Sequence, residues 1–361
     1  MNDASILSPR ENPLLKGHEA AEAILLDAAK SGRMAHAWIL AGPPGIGKAT
    51  LAYRFARYLL AGGAAQDEGL FGNALISLAI DEDAPVFRRV ASGSHSDLFT
   101  IERTSNPTTK NLRTEIVVED VRHATEFLRL TPGEGTWRVV IVDPADEMNR
   151  SAANAILKML EEPPPATLFL LVTHAPGRLL PTIRSRCRML QLQPLNLNVV
   201  MDLLGTHKPE IEEHERATLA NLAEGSIGAA VALSEAGGLA MYREMVKLLS
   251  DIKSLNIEAL HALGDRLART GNGAAYETFT RMLSDWLSKL VRSTAGGIQI
   301  EEIVPGEGEA AAQFGGTARL AQNLAVWEKV SRLLDQADSA NLDRKQVVVS
   351  AFLALQAAVR P

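Results

Sequence analysis

Cysteine, long apolar runs and excess positive charge are all scarce in this chain of 361 residues. A single cysteine, Cys187, excludes an intrachain disulfide and any zinc site built from several thiolates, and it points to a reducing cytosol. Nowhere do ~18 apolar residues run together, so no membrane-crossing helix is expected. The stretch MNDASILSPRENPLL lacks an apolar core of signal-peptide length, which makes a soluble, cytoplasmic protein the expectation. A net charge of −6 argues against a chain that coats nucleic acid by bulk electrostatics, because such binding needs clustered Lys and Arg to release counterions. A local basic face stays compatible with that balance.

What is present is enough apolar content, 46% of residues, for two or three domains, which a chain of this length needs because one core rarely grows so large. Ala35 to Ala41 (AHAWILA) reads as a short buried strand, and Ala49 to Leu60 as an apolar helix after a glycine-rich turn. Asp97 to Glu102 and Glu115 to Val118 read as short strands, and Val121 to Leu130 as a helix. Arg138 to Asp143 (RVVIVD) and Thr167 to Thr173 (TLFLLVT) are β-branched runs of the kind buried on both faces of a parallel sheet. Asn149 is placed to cap a helix that Pro163, Pro164 and Pro165 stop. The stretch Gly62 to Ser96 reads as a surface insertion. After Pro194 only helices are expected: Leu219 to Leu233 around a Gly-Ser break, a stripe of Phe279, Met282, Leu283, Trp286, Leu287 and Leu290, and apolar faces with Leu324, Trp327, Leu334 and Val347 to Leu355. Gly296 to Gly316 reads as a loop. The pattern is a parallel α/β domain followed by one or two helical ones.

The run Gly42-Pro43-Pro44-Gly45-Ile46-Gly47-Lys48-Ala49-Thr50, between strand and helix, is a phosphate-binding loop with one position altered. Glycines at 42, 45 and 47 allow a backbone nest of N–H groups, Lys48 supplies positive charge, and the helix start adds its dipole. Ala49 stands where a Ser or Thr hydroxyl would hold Mg²⁺. Thr50 follows one residue later, turned about 100° around a helix of ~3.6 residues per turn. Hydrolysis in such a site also needs a second-strand Asp and a group that orients water. Asp143 fills the first role, whereas its neighbour is Pro144, which has no carboxylate.

The segments VVIVDPADEMN, NAILKMLEEPPPATLFLLVT and LLPTIRSRCR resemble the AAA+ modules of sliding-clamp loaders, including their Ser-Arg-Cys signature at Ser185, Arg186 and Cys187. The resemblance is strongest between Leu15 and Cys187 and continues weakly through NLDRKQ. It implies an α/β P-loop AAA+ core (1–194) with helices on both faces of a parallel sheet, a small helical lid (195–240) and an all-α collar (241–361). Motor subunits of this family pair the strand Asp with a catalytic Glu, where this chain has Pro144. They also carry a sensor Arg after a Gly-Ser pair, where Gly225-Ser226-Ile227 is followed here by Gly228. Ala49, Pro144 and Gly228 each remove a catalytic group from one site, so an inactive site is expected, with weak or vestigial ATP or ADP binding through Gly42, Gly45, Gly47, Lys48, Thr50 and Thr173.

The same resemblance makes Arg186 a finger that reaches a neighbour's ATP, a role suited to a permanently charged planar fork. Spacing alone favours reading Arg184, Arg186 and Arg188 as a solvated basic face or as partners of local acids, and only the resemblance reverses that. The implied partners are AAA+ motor and delta-type subunits in a hetero-oligomeric ring, with the sliding clamp and primer-template DNA met through the assembly; no membrane is implied. The alternative is a working AAA+ ATPase, a clamp-loader motor or a related DNA-remodelling machine, with Thr50 or water replacing the lost ligand. No cofactor is required and no zinc is expected, since the 62–96 stretch holds no cysteine where relatives insert a four-cysteine module. Cys187 reads as a small buried hydrophobe, Lys158 as a helix-end lysine able to meet a phosphate, and Trp286 and Trp327 as core or subunit interface.

Overall fold

In the computed structural model, described over residues 7–32, 34–63, 77–133, 137–269, 273–297, 300–315, 319–340 and 342–360, the β-branched runs form one parallel sheet. Its strands are β1 (Ala37–Ala41), β2 (Leu98–Ile101), β3 (Arg138–Val142), β4 (Thr167–Thr173) and β5 (Arg188–Gln191), in the spatial order β2-β3-β4-β1-β5. Ala37 pairs with Phe169 and Ala41 with Thr173, while Val142 lies opposite Leu171. The alternation of β1 splits the core in two. Trp38 and Leu40 join α1 (Glu19–Lys30) and α2 (Lys48–Leu60) on one side, and Ala37, Ile39 and Ala41 join α4 (Val118–Arg129) and α5 (Arg150–Glu161) on the other. Because every strand is parallel, the carboxyl ends of β1, β3 and β4 open on one edge, where ligands of such sheets bind.

Helix α5 is defined by its termini. Asn149 Oδ1 accepts from the Ala152 N–H at 2.9 Å, and the prolines from 163 follow its end, as the sequence indicates. Helix α2 carries two arginines that fasten the preceding arm. Arg57, fully buried, donates to the carbonyls of Arg10 (3.0 Å) and Asn12 (2.8 Å) and lies under the Phe87 ring, and desolvation lowers its pKa to about 10. Arg54 pairs with Glu22 and donates to Pro13 O.

Three local expectations differ from the structure, and one strand is not expected from the sequence. The supposed surface insertion carries α3 (Pro85–Ala91), whose Val86, Phe87 and Val90 are buried; residues 64–76 lie outside the described residues. Glu115 to Val118 is no strand: Ile116 makes only an isolated bridge with Met148, and Val118 opens α4. Strand β5 escaped the sequence reading because three of its four residues face solvent, which erases the apolar signature. The stretch from Gly296 to Gly316 contains α13 (Glu307–Gln313), anchored by a fully buried Glu307 whose Oε1 accepts from the Ile303 and Val304 N–H groups at 3.0 and 2.9 Å.

The chain divides into two compact units, Met1–Val200 with Gly225–Gly228, and Met201–Glu224 with Ala229–Pro361. The expected lid at 195–240 is shared between them. The first holds the sheet and ends within α7 (Leu197–His207). The second is helical: α8 (Glu213–Leu222), α9 (Ile227–Glu235) from Ala229 onward, α10 (Gly238–Ser250), α11 (Ile257–Ala268), α12 (Gly273–Gly296), α13, α14 (Leu320–Ala340) and α15 (Arg344–Val359). The α12 stripe is buried as its period requires, with Trp286 edge-on to Phe314 and Phe279 stacked with Phe352. Helix α14 corrects the reading of its apolar face. Its inward positions are Asn323, Val326, Val330 and Ala337, leaving Leu324 exposed and Trp327 half-buried.

Candidate functional site

The phosphate-type loop leaves β1 at Ala41 and turns into α2 through three glycines in positive-φ conformations, Gly42 (157°), Gly45 (72°) and Gly47 (101°). Gly42 N–H donates to Thr173 O at 3.3 Å, which ties the loop to the end of β4. The segment Gly225–Gly228 lies directly on the loop. Gly228 N–H donates to Gly45 O at 2.9 Å, and Ser226 Oγ donates to Pro44 O at 2.9 Å. Approach is so close that a Cβ on Gly45 would sit 2.4 Å from Ser226 Oγ, and one on Gly228 would sit 2.9 Å from Gly45 Cα. These two glycines therefore serve a protein contact at the place where the family puts a sensor arginine.

Lys48 is buried, and its ammonium donates to Pro43 O within its own loop. Desolvation lowers its pKa to about 8, against the opposing pull of Asp143 and Asp146. Asp143, one residue beyond β3, faces it. Burial raises that carboxyl to about 6, Lys48 pulls it back, and Glu102, Glu147 and Asp146 push it further up. Ala49 and Pro144 flank these groups without a hydroxyl or carboxylate to add, and the Asp143–Pro144 peptide is cis. Thr50 is buried in the first turn of α2. Thr173, fully buried at the end of β4, lies beside Asp146. Although burial opposes it, a hydrogen bond from the His174 N–H at 2.9 Å holds Asp146 below the ordinary carboxylate range.

The residue set fits a nucleotide poorly. The three glycines and Lys48 are assembled as the motif demands, but Lys48 would have to give up Pro43 O, and the outer side of the loop is covered by Ser226 and Gly228. A divalent metal finds still less. Asp143 is a buried carboxyl with an ammonium beside it, and among the described residues no group of three or more His, Cys, Asp or Glu is placed to hold a metal ion.

Arg186 lies in the link between α6 (Pro181–Arg184) and β5, at the surface. Its Nη1 donates to Thr182 O at 3.0 Å and reaches Ser185 Oγ at 3.4 Å, and its Nη2 pairs with Glu161 Oε1 at 2.7 Å. Arg184 is exposed, and Arg188 lies over the Trp38 ring, 4.7 Å from its centroid. Cys187 is half-buried in an apolar setting that pushes its thiol up to about 12, so it is inert rather than nucleophilic. Lys158 is exposed on α5, and Trp286 lies in the core of the second unit. Sequence reasoning named Ser226 only as part of the Gly-Ser pair, without its contact to the loop, and passed over Asp146 and Glu161. The first two become visible only once the sheet places their segments beside the loop, and Glu161 stands 25 positions before its partner. Among the described residues no helix is long and apolar enough to cross a membrane.

A family described as DNA polymerase III, delta subunit, matches residues 17–196, from the start of α1 through β5. The chain is 40% identical over 153 residues to DNA polymerase III subunit delta' of Pseudomonas aeruginosa, covering 42% of each chain. To the subunits of the same name from Escherichia coli and Bacillus subtilis it is 34% identical over 211 residues and 30% identical over 231. Those alignments cover 58% and 63% of this chain and 57% and 63% of the relatives, so under two thirds of each curated relative is spanned. With its parallel P-loop sheet, its Ser-Arg-Cys segment and these relatives, the chain belongs to the delta-prime family of DNA polymerase III clamp-loader subunits.

Proposed function

We propose that the chain is a non-motor, stator-like subunit of a replicative sliding-clamp loader, and that it supplies Arg186 in trans to the ATP site of a neighbouring AAA+ subunit. The observation that carries this reading is the contrast between two places in one domain. At the loop, Lys48 and the carbonyls of Pro43, Pro44 and Gly45 are engaged by the protein itself. At the surface, Arg186 presents a guanidinium with two of its five donors uncommitted among the described residues. Phosphoryl transfer depends on positioning and electrostatics, so a site lacking the metal hydroxyl, the water-orienting Glu and the sensor Arg has lost the groups that accelerate it. An arginine offered from outside supplies to a neighbour what the neighbour cannot build alone.

On this reading the assembly is a hetero-oligomeric ring with AAA+ motor and delta-type subunits, and it meets the sliding clamp and primer-template DNA as a whole. A heterologous ring lets one member donate a finger without receiving one. Nucleotide binding by this chain is at most weak, because a phosphate must displace the Pro43 carbonyl from Lys48.

The test is clamp- and DNA-stimulated ATP turnover by the reconstituted loader carrying Arg186→Ala. A finger of this kind is typically worth ~10³ to 10⁵ in rate at the site it completes. Unchanged turnover removes the proposed role. Steady hydrolysis by the purified chain alone, abolished by Lys48→Ala, would make it a motor instead.

A further inference from the structure

We propose that Glu161, at the C-terminal end of α5, is a positioning residue for Arg186: its carboxylate orients the guanidinium toward a phosphate outside the subunit. The inference rests on the trans-acting role of Arg186 and concerns how that role is prepared. Three observations converge. Glu161 Oε1 meets Nη2 at 2.7 Å, while Thr182 O and Ser185 Oγ take Nη1 at 3.0 and 3.4 Å. The guanidinium is therefore held from two elements, the end of α5 and the turn of α6, which fixes its plane as well as its position. Glu161 and Arg186 side chains are respectively 47% and 35% exposed, so the pair contributes little to stability. What it changes is orientation.

The donor count decides between holding and sequestering. Arginine has five N–H donors, and three are engaged here, so Nε–H and one Nη2–H stay available to phosphate oxygens. A guanidinium fully enclosed by acceptors would have to break its contacts before it acted; this one keeps its partners and offers the remaining donors. The end of α5 adds a partial negative charge that draws the same cation. Without Glu161 the side chain regains rotamer freedom and spends less time aimed at the neighbour. The acceptor, rather than the full charge, supplies the orientation, so a glutamine amide oxygen can replace it.

The experiment is single-turnover ATP hydrolysis by the reconstituted loader, in which the site receiving Arg186 is the phase that Arg186→Ala slows. Glu161→Ala is expected to slow that same phase about 10- to 100-fold with the KM for ATP changed less than about twofold, the signature of misplacement rather than lost binding. Glu161→Gln should stay within about threefold of the parent, and Glu161→Ala combined with Arg186→Ala should be no slower than Arg186→Ala alone. Co-elution of each variant with its partners establishes that the ring assembles. If Arg186→Ala slows the phase and Glu161→Ala does not, the positioning role is overturned while the finger stands. A Glu161→Gln variant as slow as Glu161→Ala overturns the claim that the acceptor suffices. Should Arg186→Ala itself leave every phase unchanged, the finger and its positioning fall together.

Discussion

Replacing Gly45 by alanine tests whether the glycine-rich loop now serves a protein contact. Gly45 has φ of 72°, a conformation in which a Cβ costs about 1–2 kcal/mol. The new methyl would lie 2.4 Å from Ser226 Oγ, so the Ser226–Pro44 hydrogen bond must break, at about 1 kcal/mol. The expected loss is therefore ~2–3 kcal/mol. Ser226→Ala alone removes the hydrogen bond and should cost ~1 kcal/mol or less. The double variant is the decisive one. With the hydroxyl gone, the next atoms the Gly45 methyl meets are Gly228 Cα at 3.1 Å and N at 3.3 Å, which must give by a few tenths of an ångström, so the remaining cost is backbone strain and that adjustment. The two changes should then be non-additive, the double variant falling short of the sum by about 1 kcal/mol. Hydrogen exchange of the Ala37–Ala41 amides reads the stability of the sheet-containing unit without interference from the helical one. Additive effects, or a Gly45→Ala loss below ~0.5 kcal/mol, would refute the contact.

Ionisation of Asp143 should lower stability. Its carboxyl is raised to about 6 from an ordinary 3.8, so the folded state holds a proton that the unfolded state releases, and stability falls as pH rises between those values. Asp143→Asn should match the parent below about pH 4 and exceed it by up to ~3 kcal/mol near pH 7, read as the difference between urea-unfolding free energies. A constant difference across that range would sink the assignment. Cys187, with its thiol pushed up to about 12 from 9.0, should react at least about 30-fold more slowly than a free thiol with a disulfide reagent near pH 8, because the small thiolate fraction outweighs the gain in nucleophilicity. Ordinary reactivity in the folded chain would contradict its burial.

Much of the fold is legible because the signals are strong and local. RVVIVD and TLFLLVT are short β-branched runs of the kind a parallel sheet buries on both faces, and the glycines before Lys48 announce the turn between β1 and α2. The misses share a physical cause. Strand β5 is held by pairing with β1 rather than by its own side chains, so nothing in Arg188 to Gln191 marks it as a strand. Helix α13 opens with a buried Glu307 that accepts from two backbone N–H groups of the turn before it, a pairing that composition reads as polar loop. At the loop, the sequence shows that catalytic groups are missing. It does not show that Ser226 and Gly228 have taken up the space, because that contact joins positions 182 residues apart.

The cation–π contact of Arg188 with Trp38 has a mechanical consequence. Trp38 is fully buried in β1, an interior strand between β4 and β5, and Arg188 stands two residues after Arg186. The backbone just after Arg186 is thereby tied to the buried sheet core as well as to the surface turn. A displacement of ~1 Å can cost about a hundredfold in a positioned reaction. On the trans-acting role proposed for Arg186, the same four-residue strand that leaves so faint a trace in the sequence is the datum line from which the guanidinium is set against a neighbouring phosphate.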